Sequence, residues 1–464
     1  MTAAALADRL REALASGEFE PLAELYADGA VLDANIPGGR ELVEGPAAIV
    51  ARFACWWPGP GRLVEWSPDL RPDGIALWLE RAASDGTVAR QRHYLHLRDG
   101  CVARHWVYAA QPRTGAGTTG AGPGALDPQL LANVGEVSAS EPLVSNGWSG
   151  NALARVLLAD GRSLVAKRLV PGGDWIGRAT RDRGREALLW TTGVLERVPT
   201  AIDPAVLAAV RDGDAWWVVM RDVSEELLDG YRTLSRQESR RILEAANLMW
   251  AQFWDERIAV LCALTDRLGI AGPRVSKRER WGLDLLPKQL HTAWEAFADA
   301  ADSDVAQAVL TVVADPRPLA AALDARGTTL IHADLRDENM GLTETGIVLV
   351  DWGIATQGHP TVELAWYLMH DAWRIAATHD EIIEDFRRLR GDMDDPYALE
   401  LGLISGLVMY GWVIGHSAIV HPDPAERAWA SSELDWWIPR VRVALESWSP
   451  RSTTTSIRGG ESRR

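Results

Sequence analysis

The chain has 464 residues, too many for one ordinary core at roughly 150 residues per domain. Hydrophobic residues make up 47% and charged residues 24%, a balance that excludes a disordered chain. The formal net charge of −16 argues against a general nucleic-acid or anionic-membrane binder and is compatible with a cationic partner. Cys55, Cys101 and Cys262 are far apart and form no metal or redox motif, so they read as buried thiols of a reducing, cytoplasmic compartment. Residues 1–26 scatter acids through a short apolar pattern, and no signal peptide is expected there.

Residues 3–14 carry Leu6, Leu10 and Leu14 at helical spacing. A second short helix is expected at 19–26, a strand at 30–35, and a helix at 47–53 opened by Pro46. Extended segments follow at 62–66, 74–81, 88–97 and 101–108, with Asp99-Gly100 as the turn between the last two. His93, His96 and His105 on that hairpin are candidate acids or bases. Strand alternation sends His93 and His96 to opposite faces, so a regular strand cannot line one cavity with both. Helices first and an antiparallel sheet afterwards describe an α+β cone. The helix end Leu25-Tyr26-Ala27, the strand at 31–35 and the helix start Glu44-Gly45-Pro46 resemble the NTF2-like or SnoaL-like family. That resemblance implies an apolar pocket that takes a small apolar ligand, a dimer contact, or in some members cyclase or isomerase chemistry.

The run from Thr114 to Gly124 is Gly-rich and has nothing to pack, so a linker is expected at 113–126, between an N-terminal domain at 1–112 and a second at 127–450. The second domain opens as a strand near Leu143, a loop Asn146-Gly147-Trp148-Ser149-Gly150-Asn151, and a strand at 152–158. Glycines at such a turn let backbone N–H groups approach phosphates, which makes Gly147, Ser149 and Gly150 candidate nucleotide contacts. Asp160-Gly161 turns the chain into a strand at 163–169 with Lys167 among Val165, Ala166 and Leu169. A lysine there is costly to bury without an anionic partner, and Glu186, early in a helix expected at 183–196, is the candidate. The strand at 216–223 then leads towards a hinge.

From Leu234 the pattern is largely helical, with helices expected at 243–254, 286–298 and 305–323. Then comes the most specific stretch: Leu330-Ile331-His332-Ala333-Asp334-Leu335-Arg336-Asp337-Glu338-Asn339, followed by Ile347-Val348-Leu349-Val350-Asp351-Trp352-Gly353. Strand, His-x-Asp-x-x-x-x-Asn, and a second strand ending on Asp form the catalytic half of a kinase-like phosphotransferase. Such a reaction needs one carboxylate beside the attacking hydroxyl, and an amide oxygen and a second carboxylate to hold Mg²⁺. Asp334 fits the first role, Asn339 and Asp351 the others, while His332 braces the loop. This pattern resembles the aminoglycoside phosphotransferase family, with Ala333 where the family commonly has Gly. The resemblance implies a protein-kinase-like fold, ATP as donor, Lys167 and Glu186 paired at the phosphates, and backbone near Met220 and Asp222 at the adenine edge. Further on, His359-Pro360 and Glu363 depart from the family's Asp-Pro and Asp. The apolar span 399–420 reads as a buried helix rather than a membrane anchor. Asp371, Asp380, Glu381, Glu384, Asp385, Asp392, Asp394 and Asp395 read mostly as solvated faces. The Ser/Thr/Arg/Gly-rich tail at 451–464 is expected to be disordered.

The expectation is thus a two-domain α+β protein: an NTF2-like cone, then a bilobal kinase-like fold with a β-rich lobe near 127–225 and a helical lobe near 226–450. Its expected activity is transfer of the γ-phosphate of ATP, with Mg²⁺, to a hydroxyl of a small acceptor, with aminoglycoside-like, amino-sugar, choline-like and related acceptors, some of them amine-bearing and cationic, left open. Two rivals stand beside it. One is a nucleotide-binding pseudokinase controlled by the first domain; the other is an N-terminal cyclase or isomerase with an accessory kinase-like part.

Overall fold

The computed structural model describes residues 3–36, 39–57, 59–71, 74–83, 88–98, 100–109, 131, 133–143, 152–228, 232–279, 286–421 and 423–448. The loop residues Gly147, Ser149 and Gly150, the Gly-rich run and the tail lie outside them.

In the N-terminal region the helix Ala3–Ser16 buries Leu6, Leu10 and Leu14, the stripe its spacing predicts. A six-stranded sheet follows, with Tyr26–Ile36 lying between Gly39–Glu44 (antiparallel) and Cys101–Ala109 (parallel). Val88–Arg98, Gly74–Ala83 and Gly61–Arg71 extend it antiparallel from there. Alternate residues Ile75, Leu77 and Leu79 are buried in one cluster with Ile49, Val50 and Phe53 of the helix Pro46–Trp56. The sequence predicts no strand at 39–44; this one forms as an edge, paired on a single side, which demands little apolar content. The short helix expected at 19–26 is a 3₁₀ turn, Glu20–Leu25. Of the three cysteines only Cys262 is buried; Cys55 lies on the solvent face of the helix Pro46–Trp56 and Cys101 is half-buried.

The C-terminal region opens with a five-stranded antiparallel sheet in the order Val206–Asp212, Ala215–Arg221, Ser163–Leu169, Ala152–Leu158, Val137–Leu143. Alternation along Ser163–Leu169 sends Leu164 and Ala166 into one buried cluster with Trp217 and Val219. Lys167 and Leu169 face the other way, where Leu169 joins the main core of the chain. The helix expected at 183–196 is shorter, Arg185–Thr191, bounded by Gly184 before it and Gly193 after it, both at positive φ, 92° and 73°. The helix expected at 305–323 is two, Ser303–Ala314 and Arg317–Asp324. Pro316 divides them: it has no N–H to donate and disfavours helical geometry at Asp315.

Pro396–Val420 is long and apolar enough to cross a membrane by length and composition, yet it packs inside the protein against Leu286–Ala300, Pro360–Asp371 and Pro424–Ser447. Its glycines make the close crossings. A Cβ at Gly402 would lie 2.6 Å from the Thr361 side chain, and one at Gly415 would lie 2.3 Å from the Phe297 Cα.

Candidate active site

The loop begins where the strand Thr329–Ile331 ends. Ala333 turns it in the left-handed region at φ 65°, a conformation that favours Gly and costs Ala of order 1 kcal/mol. Three anchors hold it there. The Ala333 N–H donates to Glu363 Oε1 at 2.6 Å, the His332 N–H donates to Glu363 Oε2 at 3.2 Å, and the Ala333 carbonyl accepts from Arg267 Nη2 at 2.8 Å. His332 Nε2 donates to the Val350 carbonyl at 3.0 Å, so this histidine ties the loop to the second strand. Burial lowers its pKa and keeps it neutral.

Asp334 emerges with its side chain 15% exposed. Its Oδ1 accepts from Trp366 Nε1 at 3.0 Å and lies 3.3 Å from Arg336 Nε, while its Oδ2 accepts from Asn339 Nδ2 at 2.7 Å. Burial presses this carboxyl upward, but the charges of Arg336 and Arg267 outweigh it and hold the pKa below the ordinary aspartate value. Asp334 is therefore ionised at neutral pH.

Asn339 closes the 3₁₀ turn Asp337–Asn339 and starts a hairpin, Met340–Leu342 against Ile347–Leu349. That pairing returns the chain beside its own start, and the Val350 N–H donates to the Asn339 carbonyl at 2.8 Å. Asn339 and Asp351, separated in sequence, are thereby neighbours. Asp351 takes a left-handed conformation, φ 64°, with 44% of its side chain exposed. Its Oδ1 accepts from Lys167 Nζ at 2.6 Å, and Glu186 Oε2 lies 3.0 Å from the same nitrogen. Burial alone would lower the Lys167 pKa; the two carboxylates, Asp351 before Glu186, raise it instead. Asp351 is held low by Lys167 against its own burial, whereas burial wins at Glu186 and raises it. The helix bearing Glu186 is fixed in turn by Arg185, whose guanidinium donates to the carbonyls of Gly353, Thr180 and Val260.

Lys167, Glu186, Asp334, Asn339 and Asp351 thus converge. Met220 is buried in its strand between Val206 and Val165. The Asp222 amide donates to the Ser163 carbonyl at 3.3 Å, and its carboxylate accepts from Ser163 Oγ, Arg155 Nε and Ser224 Oγ. Asp222 ties off the strand end, so its amide is not the group left for an adenine edge. Sequence reasoning missed Trp366, Arg267 and Arg336, and the contact of Lys167 with Asp351. Arg336 lay inside the motif itself; Trp366 and Arg267 carried no local signal.

Oxygen donors for Mg²⁺ are present. Asn339 spends its amide nitrogen on Asp334, which leaves its Oδ1 with the Asp351 carboxylate as hard donors, a set that suits this ion when phosphates and water complete it. Among the described residues no group of three or more His, Cys, Asp or Glu makes a metal site by itself.

The N-terminal histidines form a different arrangement. Gln91 Oε1 is an acceptor, so His93 Nε2, 2.9 Å away, carries a proton and His93 Nδ1 accepts from His105 Nε2 at 2.8 Å. His105 Nδ1 then accepts from the Tyr26 hydroxyl at 2.6 Å. All four ring nitrogens are spent inside the core, and burial pushes the His93 pKa down to about 3. Neither ring has a nitrogen left for a ligand.

A model of the phosphotransferase enzyme family matches residues 143–399, more than half of the chain. The chain belongs to that family. It is an ATP-dependent phosphotransferase that acts on an alcohol group of a small molecule. No curated protein matches it. Among solved structures it is similar to an aminoglycoside phosphotransferase from Alicyclobacillus acidocaldarius subsp. acidocaldarius DSM 446, at 14% identity and TM-score 0.39, covering 71% of this chain and 97% of that one. A choline kinase from Streptococcus pneumoniae is similar at 12% identity and TM-score 0.39, over 67% of this chain and 96% of that one. An NTF2-like protein of unknown function from Mesorhizobium loti is similar at 19% identity and TM-score 0.21, over 24% of this chain and 91% of that one.

Proposed function

We propose that this phosphotransferase moves the γ-phosphate of Mg·ATP to a hydroxyl of a small acceptor, with Asp334 as the proton acceptor. The observation that carries the reading is the state of the Asp334 carboxylate. Oδ1 faces two donors and Oδ2 one, so of the acceptor positions an ionised carboxylate offers, one at Oδ2 remains for an incoming hydroxyl. The donors fix its orientation before any acceptor arrives. As the acceptor oxygen bonds to the γ-phosphorus and the bond to the β–γ bridging oxygen breaks, the hydroxyl proton passes to Asp334.

Asp351 and Asn339 would hold Mg²⁺, which supplies charge neutralisation on the phosphates when bound. Lys167, held between Glu186 and Asp351, presents its ammonium at the same place. Backbone amides of the loop with Gly147, Ser149 and Gly150 would support the phosphates from the β-rich side. The expected amine on the acceptor finds little support in the acids of the helical lobe. Asp380, Glu381, Glu384, Asp385, Asp394 and Asp395 are each paired with an arginine. The N-terminal cyclase reading is disfavoured by the spent ring nitrogens of His93 and His105.

Asp334→Asn keeps the shape and loses the proton acceptor. It is expected to leave Mg·ATP affinity nearly intact and to lower transfer by roughly 10²–10⁴-fold, measured with one verified acceptor at saturating nucleotide. Asp351→Asn should in addition change the Mg²⁺ dependence. Parental transfer in Asp334→Asn would end this reading.

A further inference from the structure

The body of an acceptor has one side of Asp334 to occupy. Asn339 stands at Oδ2, next to Asp351 and its partner Lys167, the groups given above to metal and phosphates. Oδ1 faces the helix Pro360–Asp371, whose Trp366 Nε1 donates to it at 3.0 Å. One turn further along that helix, the His370 ring lies 4.3 Å from the Trp366 ring and 4.2 Å from that of Tyr410. Trp366 is almost enclosed, whereas His370 and Tyr410 are half-buried. The three rings therefore make an aromatic corner that starts at the catalytic carboxylate and runs out to the surface.

Apart from Asp334, the acids described at this corner are already spent. Glu338 is paired with Arg336, and Asp337 with Arg374 at 2.6 Å. Burial, reinforced by Asp337, pushes the Asp371 carboxyl well up, so it stays uncharged. Tyr410 does sense Asp337 and Glu338, but each of them has its arginine. A further cation is also unwelcome at Trp366, because Arg267 already lies over that ring at 4.2 Å. At His370, burial acts first and Arg336 and Arg267 outweigh Asp334, so the ring is neutral, its pKa lowered to about 3.

His370 Nε2 is buried and has no hydrogen-bond partner. A buried N–H without an acceptor is costlier than a lone pair without a donor, so the neutral ring keeps its proton on Nδ1. An oxygen answers such a donor; an ammonium group, which only donates, cannot. The indole of Trp366 lies between His370 and Asp334, which is the span of a ring rather than of a short chain. We infer that the acceptor is an uncharged, ring-shaped polyol, its reacting hydroxyl at Asp334 and the oxygen of a second hydroxyl on His370 Nδ1, packed against Trp366 and Tyr410. A few polar groups set in an aromatic wall are what orient a small ligand. The inference rests on the role given to Asp334 above, and it sets the acceptor of this chain apart from a cationic amine. If the three rings merely fill the core, His370 bears on folding and not on the choice of acceptor.

Matched pairs of probes decide, with the full chain, Mg·ATP and phosphorus NMR to separate acceptor phosphorylation from hydrolysis. Each pair differs by one hydroxyl replaced with an ammonium group: glucose and glucosamine, galactose and galactosamine, myo-inositol and its aminodeoxy analogue. Kanamycin and choline complete the panel. An uncharged member is expected to be phosphorylated with kcat/KM at least about tenfold above its amine partner. For that polyol, His370→Leu should raise KM about tenfold with kcat within about threefold, in line with one lost hydrogen bond. His370→Asn, whose amide nitrogen stands in for Nδ1–H, should recover part of the loss. Removing hydroxyls from the polyol one at a time should find one, besides the phosphorylated one, whose loss costs the parent as much and costs His370→Leu nothing more. Should His370→Leu not fold, that deoxy series is read in the parent and His370→Asn instead. Turnover confined to the amines, kanamycin or choline overturns the inference, and so does a panel in which no uncharged member is phosphorylated. An unchanged KM in His370→Leu overturns it too. Failure of the Asp334 reading shows separately, as unchanged turnover in Asp334→Asn with the selectivity for polyols intact.

Discussion

Glu363 has no exposed surface, and three N–H groups converge on it from beneath the loop that carries Asp334. Trp250 Nε1 and the His332 amide share Oε2, at 2.9 and 3.2 Å, and the Ala333 amide takes Oε1 at 2.6 Å. The departure from Asp at this position is therefore a matter of scaffold, not of acceptor contact. Burial raises its pKa from 4.5 to about 7, although the three donors pull the other way. A carboxyl that protonates more readily folded than unfolded stabilises the fold fully below the unfolded value, and that contribution is lost as pH rises through about 7. Its size is on the order of 3 kcal/mol. Urea unfolding should therefore show the parent losing more stability between pH 5 and 8 than Glu363→Gln, which cannot titrate. Parallel profiles would mean that Glu363 stays ionised throughout. The left-handed Ala333 depends on the same carboxylate, which explains how a non-glycine residue is kept there.

Helix packing sets the frame around that loop. Pro396–Val420 has apolar residues on every side and no polar face, as expected of a helix enclosed by others. Its neighbours approach so closely that Gly415 faces the backbone of Phe297 and its Cβ. A methyl group there meets the Phe297 Cα, which cannot swing away as a rotamer would. Gly415→Ala should cost at least about 2 kcal/mol, with the helix Leu286–Ala300 displaced. Gly29→Ala is the control, since a Cβ at Gly29 meets nothing within 4 Å, and it should stay within about 0.5 kcal/mol of the parent. Equal midpoints for the two variants in urea would show that the crossing can relax.

At the scale of the whole molecule, the buried cluster of residues 6–107 draws on a stretch that contributes to none of the others, which all come from residues 131–448. We propose that the Gly-rich run from Thr114 to Gly124 divides two independently folding domains. Limited proteolysis should cut there first, and a fragment beginning near Ala125 should fold and bind ATP. A fragment that stays unfolded while the full chain is stable would refute that division.

What could be read from the sequence is what local geometry encodes. The spacing of His332, Asp334 and Asn339 lies within one loop, the return to Asp351 is a short hairpin, and alternation alone puts Lys167 on the opposite face from Ala166. Those relations follow from backbone dihedrals and periodicity over a few residues. The lone lysine in an apolar strand also announced an acid, and Glu186 answers it at 3.0 Å. Its second partner did not announce itself, because Asp351 lies 184 positions away and meets Lys167 only through the tertiary fold. The same holds for Trp366, 32 positions beyond the Asp334 it donates to, and for the arginines that neutralise acids read as solvated. Asp371 and Asp385, counted among those acids, are in fact buried. Likewise, His93 and His105 looked available until Tyr26 and Gln91 closed their hydrogen bonds. Sequence by itself singled out Lys167, Glu186, Asp334, Asn339 and Asp351 as candidates; tertiary packing decided that they converge and which of their lone pairs and charges are still open, because that depends on neighbours that no local pattern names.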